Sequence, residues 1–235
     1  MAINSQKDLK ILSKNKSEII TKAKYGPSKP TKISLTLDED IAFLSATIIG
    51  DGHLRKEKFQ ISIELTNKRL MKEIRKTCKR LFNRRFNIKK RKKREGIKQS
   101  YAMAMDSKAI FMLLNKVFEI PIGKKSHKVK IPKEIFNSND SIKSAFLIGI
   151  FLTEGGRRKR GYGLSTASPS LWKDLIRLFS DLKIKLHKDK WMYKKYKKMY
   201  YGISFKKDTL TALTRGCRSG QTGQILETCF QGGYA

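Results

Sequence analysis

Two acids, Asp51 and Glu154, stand where a helix should not end. Each is followed by glycine and closes a run of apolar and small residues, Ile41–Gly52 (IAFLSATIIGDG) and Ala145–Gly155 (AFLIGIFLTEG). Upstream of the first run, Thr36 and Glu39 have the spacing of a capping box. Asp38, Glu39 and Asp40 then fill a first turn where acids favour the positive end of the dipole, so a helix is expected to begin there. A helix apolar on every side is buried, and Gly52 is expected as its left-handed cap. Asp51 then lies at the negative end of the dipole, at a cost of roughly 0.3–1 kcal/mol unless something compensates. A metal ion would do so.

The pattern occurs twice. Ala42-Phe43-Leu44 returns as Ala145-Phe146-Leu147, and Asp51-Gly52 as Glu154-Gly155, 103 residues on. Ala46 and Gly50 return as Gly149 and Thr153, small residues four apart on one helix face that admit a close neighbour. Later elements repeat too: Leu70–Ile74 as Leu171–Leu175, and Tyr101–Met105 as Tyr201–Phe205. Between the first motif and its repeat, Phe59, Ile61, Ile63 and Leu65 alternate with polar residues, the pattern of a half-buried strand, with His53–Lys58 as its partner or a turn. Leu70, Ile74, Cys78 and Leu81 give an amphipathic helix over Lys68–Asn83. A hairpin around Glu95-Gly96 joins Phe86–Arg94 to Gln99–Met105, and a helix over Ser107–Phe118 closes the half. The duplication predicts an α+β fold of two pseudo-symmetric αββαββα halves with the motif helices side by side at the centre.

This division assigns residues 1–35 to a basic N-terminal extension with a short helix near Lys7–Lys24, ending in the turn signature Gly26-Pro27-Ser28-Lys29-Pro30. Residues 36–118 form the first repeat, 119–140 a linker, and 141–215 the second repeat. Residues 216–235, where Gly, Gln and Thr replace Lys, are expected outside the fold. Lys and Arg number 53 against 20 Asp and Glu, a net charge of +33 that points to a polyanion, nucleic acid first. The bland alternative is a ribosomal-type basic protein. Cys78, Cys217 and Cys229 form neither a disulfide framework nor a zinc pattern. No apolar run reaches membrane-spanning length. The expectation is an intracellular protein without membrane association, in an archaeal or bacterial cytoplasm ahead of an organelle.

Leu44–Gly52 and Leu147–Gly155 resemble the paired motifs of the LAGLIDADG homing endonuclease family, in its single-chain form with two motifs. Ala46 stands where the third motif position is usually glycine, and the joining stretch Ile120–Ser126 with Ile131-Pro132 resembles the family's inter-repeat linker less specifically. The resemblance implies a monomer whose β-sheets form a saddle on double-stranded DNA, cutting both strands of a long target. It makes Asp51 and Glu154 the metal-binding catalytic acids. Hard carboxylate oxygens suit Mg²⁺, with Mn²⁺ as a substitute, and carboxylate-held divalent ions act on attacking and leaving oxygens alike. It also implies a polar residue and a lysine near the attacking water at the end of the second strand, here Asn67 and Lys68; a solvated helix N-terminus is the competing reading. The second half has Ser165–Ser168 at that place and no lysine. Arg157 is the candidate substitute, and without one the two strands would be cut unequally.

Nucleic-acid contacts are expected on the outer strand faces, since a two-stranded ribbon fits the major groove. The first-half candidates are Arg55, Lys56, Gln60, Ser62, Glu64, Lys90, Lys92, Arg94 and Lys98. Those of the second half are Arg158, Lys159, Arg160, Lys190, Tyr193, Lys194 and Lys195. Most of the lysines should touch phosphates, with Gln60 and the arginines at base edges. His53, His127 and His187 have no metal-ligand spacing, and packing explains Trp172. The chain starts Met-Ala and lacks a terminal His-Asn, so it is expected to be intron-encoded or free-standing, not embedded in an intein. Two alternatives use the same surface: an RNA-splicing maturase that binds intron RNA, and a DNA-binding regulator without catalysis.

Overall fold

The computed structural model describes residues 8–25, 28–92, 95–158, 161–194, 197–218 and 221–230. The chain opens with three antiparallel strands, β1 (Leu9–Lys14), β2 (Glu18–Ala23) and β3 (Thr31–Ser34), paired in that order. The first half follows: α1 (Glu39–Asp51), β4 (Gly52–Arg55), β5 (Gln60–Leu65), α2 (Lys68–Phe82), β6 (Ile88–Lys90), β7 (Tyr101–Asp106) and α3 (Lys108–Met112), which continues as a π-helical turn over Leu113–Val117. Its sheet runs β4-β5-β7-β6. A short α4 (Lys133–Phe136) lies in the linker. The second half is α5 (Asp140–Glu154), β8 (Gly155–Arg158), β9 (Gly161–Thr166), α6 (Pro169–Asp181), β10 (His187–Tyr193), β11 (Lys198–Phe205) and α7 (Lys207–Gly216), with sheet order β10-β11-β9-β8. The expected αββαββα order therefore occurs twice, in an α+β fold. A final helix, α8 (Gln221–Phe230), follows.

The halves meet through small residues. A Cβ added at Gly149 of α5 would lie 2.7 Å from the Ala46 Cβ and 2.7 Å from the Phe43 carbonyl oxygen of α1. One added at Gly50 would lie 2.1 Å from Thr153 Oγ1. At Gly149 the α5 backbone lies on the α1 backbone, and at Gly50 the α1 backbone lies on the Thr153 side chain, as the paired small residues require. Ile41–Leu44, Ala46, Ile48 and Ile49 of α1, with Ala145–Ile148 and Ile150–Leu152 of α5, fill the centre of one continuous core.

Capping differs from the sequence reading in two respects. The N-cap of α1 is Asp38, whose side chain accepts the Ile41 N–H at 2.9 Å. Thr36 instead bonds Ser34, so the box does not close. Gly52 is extended (φ −86°, ψ 168°), not left-handed. Glycine is required there for space, because a Cβ would lie 2.6 Å from the Ile48 Cα.

Two terminal assignments are corrected. The stretch expected as a helix near Lys7–Lys24 is the β1–β2 hairpin, because Ile19 and Thr21 alternate inward beside Ile33 of β3. This sheet packs on α3, tied by a Lys108–Asp8 ion pair at 2.6 Å. The described part of the tail belongs to the fold: α8 buries Ile225, Leu226 and Cys229 against α5, α2 and α1. The Arg218 N–H just before it donates to buried Glu39 at 2.7 Å.

Replacing Gly149 by Ala should lower stability by about 1–3 kcal/mol, the usual cost of overpacking, read as a shift in the urea midpoint. Gly156→Ala is the control: nothing lies within 4 Å of the added methyl, so its effect should stay within about 0.5 kcal/mol.

Candidate active site

The close crossing of α1 and α5 carries their C-termini to the same place. A Cβ at Gly50 would lie 3.4 Å from the Glu154 Cγ, one residue before Asp51. Asp51 opens onto a groove across the outer face of the first sheet, whereas Glu154 is half-buried. Each acid is the last residue of a helix whose last turn holds no basic residue.

The compensating cation comes from the linker. The Lys125 ammonium donates to the carbonyl oxygen of Ile48 at 2.7 Å, which also accepts the Gly52 N–H, and to those of Ile49 and Gly50 in the last turn of α1. Two features of the linker aim it. Asn115 Nδ2 donates to the Ile120 carbonyl at 2.9 Å. The Gly123 N–H donates to the Leu54 carbonyl at 3.0 Å, with Gly123 at φ +73°, a conformation that favours glycine. The signal that could have found Lys125 was the electrostatic demand at Asp51, not any spacing, because 74 residues separate the two.

The three groups perturb one another. Asp51 is solvated on its groove side but hemmed by protein elsewhere; this desolvation pushes it up to about 6, with Lys125 pulling the other way. Burial and then the Asp51 charge raise Glu154 to about 7. Burial brings Lys125 down to about 8 against the pull of both acids. Two carboxylates that repel in a partly desolvated site bind a proton or a cation readily. Their oxygens are hard donors that fit a divalent ion of the Mg²⁺ or Mn²⁺ type.

The other expected catalytic residues are engaged differently. Asn67 caps α2, its Oδ1 accepting the Leu70 N–H at 3.0 Å. Lys68 places its ammonium 5.6 Å from the Tyr101 ring centroid. Arg157 is exposed on edge strand β8, opposite Tyr162.

On the outer face of the first sheet, Arg55, Gln60, Ser62 and Glu64 line the groove as expected of that face, with His53, Arg84, Lys89 and Arg91 added. Gln60 donates to Asp106 at 2.7 Å. Glu64 accepts from Ser100 at 2.7 Å and from Arg91 at 3.2 Å. Lys56 lies in the β4–β5 turn, and Lys92 and Lys98 are exposed beyond the strand ends. Two expectations are corrected by strand register. Lys90 pairs with Tyr101, on the face that also carries buried Met103 and Met105, so Lys89 takes the outer face. Lys190 turns toward α6, 4.8 Å from the Trp172 ring centroid. Arg158 reaches over Gly163 to Ser165, Tyr193 ends β10 on the outer face beside Tyr200, and Lys194 is exposed. Arg94, Lys159, Arg160 and Lys195 lie outside the described residues.

Comparison with known proteins agrees with this architecture. Residues 38–120 match the LAGLIDADG-like domain family. Replication factor C small subunit of Methanocaldococcus jannaschii is 34% identical over 139 residues, 59% of this chain but only 7% of that protein's length. Among solved structures, I-DmoI in complex with DNA and Mn superposes with a TM-score of 0.55 at 16% identity, covering 78% of this chain and 98% of that one. Full-length WhiA from Thermatoga maritima gives 0.54 at 16% identity, covering 84% and 61%. The resemblance thus holds in sequence to a LAGLIDADG-like domain over the first half, and in fold to I-DmoI over most of the chain.

Because Asp51 and Glu154 hold protons more tightly folded than unfolded, their contribution to stability is complete below about pH 4 and is lost as pH rises through about 6 to 7. Lys125 has the opposite sense: its contribution is present above its ordinary range and lost as pH falls through about 8. In chelator, the Asp51→Asn/Glu154→Gln double variant should gain urea stability relative to the parent as pH rises from about 4.5 to about 7.5. Parallel curves for the two proteins would assign the pH dependence to other groups.

Proposed function

We propose, from this LAGLIDADG-like fold, that the chain is a site-specific DNA endonuclease that makes a metal-dependent double-strand break. The observation that carries the reading is the meeting of Asp51 and Glu154, one from each half, at abutting helix ends beside a basic surface. Asp51 and Glu154 would hold the divalent ions, Mg²⁺ or Mn²⁺, which supply an activated water and charge stabilisation at the leaving oxygen. I-DmoI, of the same fold, is seen with DNA and Mn.

The chain's own residues do the rest. Lys125 neutralises the end of α1 and places a positive charge beside both acids, where negative charge gathers on the phosphate in the transition state. His53, Arg55, Gln60 and Ser62 offer donors and acceptors for base edges in the major groove. The surrounding lysines fix register on phosphates. Near the end of α5, Thr153 Oγ1 donates to the Gly149 and Ile150 carbonyls at 3.1 Å. The first half carries Lys68 at the end of its second strand and the second half has no lysine at the comparable place, so the two strands should be cut at unequal rates. The match of a 139-residue segment within a much longer replication protein supports a module carried inside other genes as a mobile element.

The test is cleavage of a plasmid library of candidate insertion sites with Mg²⁺. Discrete double-strand cuts are expected, abolished by chelator. Asp51→Asn and Glu154→Gln should each slow cleavage more than about a hundredfold, while salt-dependent duplex binding persists. Cleavage that survives both substitutions would place the catalytic centre elsewhere, and tight binding without cleavage would favour a regulator.

A further inference from the structure

The outer faces of the two sheets are built from different chemistry. At the register positions of His53, Ser62 and Ala104 in the first sheet, the second carries Gly156, Gly163 and Ser204. Beside this floor of small residues, crossed at Gly163 by the Arg158 side chain, stands an aromatic group. Trp191 lies over Gly202, where a Cβ would come within 2.8 Å of the indole. Tyr200, opposite Trp191 in register, holds its ring 15° from the indole plane with centroids 6.1 Å apart. That spacing sets the rings side by side in an offset arrangement, not face on face. Tyr193 meets Tyr200 edge-on at 6.4 Å and is 47% exposed. Lys198 is Tyr193's cross-strand partner and is also exposed.

Duplex DNA hides the faces of its bases in the stack and offers only their edges to a protein. The first sheet, with amide, hydroxyl, imidazole and guanidinium groups, suits edges. Flat rings over a glycine suit a base face, and such platforms with nearby lysines bind unpaired strands with little sequence preference. We propose that Trp191 and Tyr200 form a stacking platform for an unpaired base of a DNA or RNA strand. The proposal rests on the nucleic-acid part of the function above but not on cleavage.

The test is fluorescence anisotropy of the full chain with equal-length labelled oligodeoxyuridylate, oligouridylate and duplex DNA at one salt concentration. Trp191→Ala should weaken single-strand binding about tenfold or more and leave duplex binding within about twofold. Trp191→Phe should restore most of the loss, which a folding defect in the Ala variant would not explain. The single strand that loses more affinity identifies the sugar the platform serves. Single-strand binding untouched by Trp191→Ala, or lost equally with duplex binding, overturns the platform alone. A parent protein that binds none of the three probes overturns the nucleic-acid reading as well.

Discussion

Close contact between α1 and α5 is the constraint from which the rest follows. Gly149 sits on the Phe43 carbonyl and Gly50 against Thr153, so the helices approach to backbone distance and their ends cannot diverge. Asp51 and Glu154 are thereby held together, and packing energy opposes their repulsion. The same contact removes water from around them, which is why both carboxyls are pushed toward neutrality. A site that destabilises its own anions in this way favours whatever cation enters it.

Lys125 answers part of that demand without filling the place of a divalent ion. It binds three carbonyl oxygens of α1, and those of Ile49 and Gly50 are among the acceptors that a helix end leaves open. Its own ammonium is held near the limit of staying charged, because burial opposes what the acids favour. A single linker residue thus serves one helix end directly and both acids through space. The twofold symmetry of the fold is broken at the point where chemistry would occur.

The halves diverge further outward. In the first sheet, polar side chains bond one another across strands, as in Gln60 with Asp106 and Glu64 with Arg91 and Ser100. In the second, Gly161 stands at the place of Gln60 and the rings of Trp191 and Tyr200 at those of Arg91 and Ser100, while Arg158 bonds Ser165 across the strands. A duplicated scaffold can vary its outer faces freely because period-two alternation keeps them off the core. The terminal segments extend the same body. The N-terminal sheet leans on α3, and Glu39 joins α1 to Ser141 of α5 and to the backbone before α8.

The sequence by itself determined the repeat, the order of elements within each half and the acid at the end of each motif helix. Each of these is local or periodic: apolar runs, alternation, and an acid at the wrong end of a helix dipole. The same local logic misled at Gly52, where steric room and not a left-handed turn requires glycine. It misled again in the tail, where a change of composition hid the buried face of Ile225, Leu226 and Cys229. Only the tertiary structure decided which lysines face outward, since a one-residue register change moves a side chain to the opposite face; Lys89 and not Lys90 reaches the groove for that reason. Only the tertiary structure brought Lys125 to the end of α1, because charge compensation depends on distance in space and leaves no period in the chain.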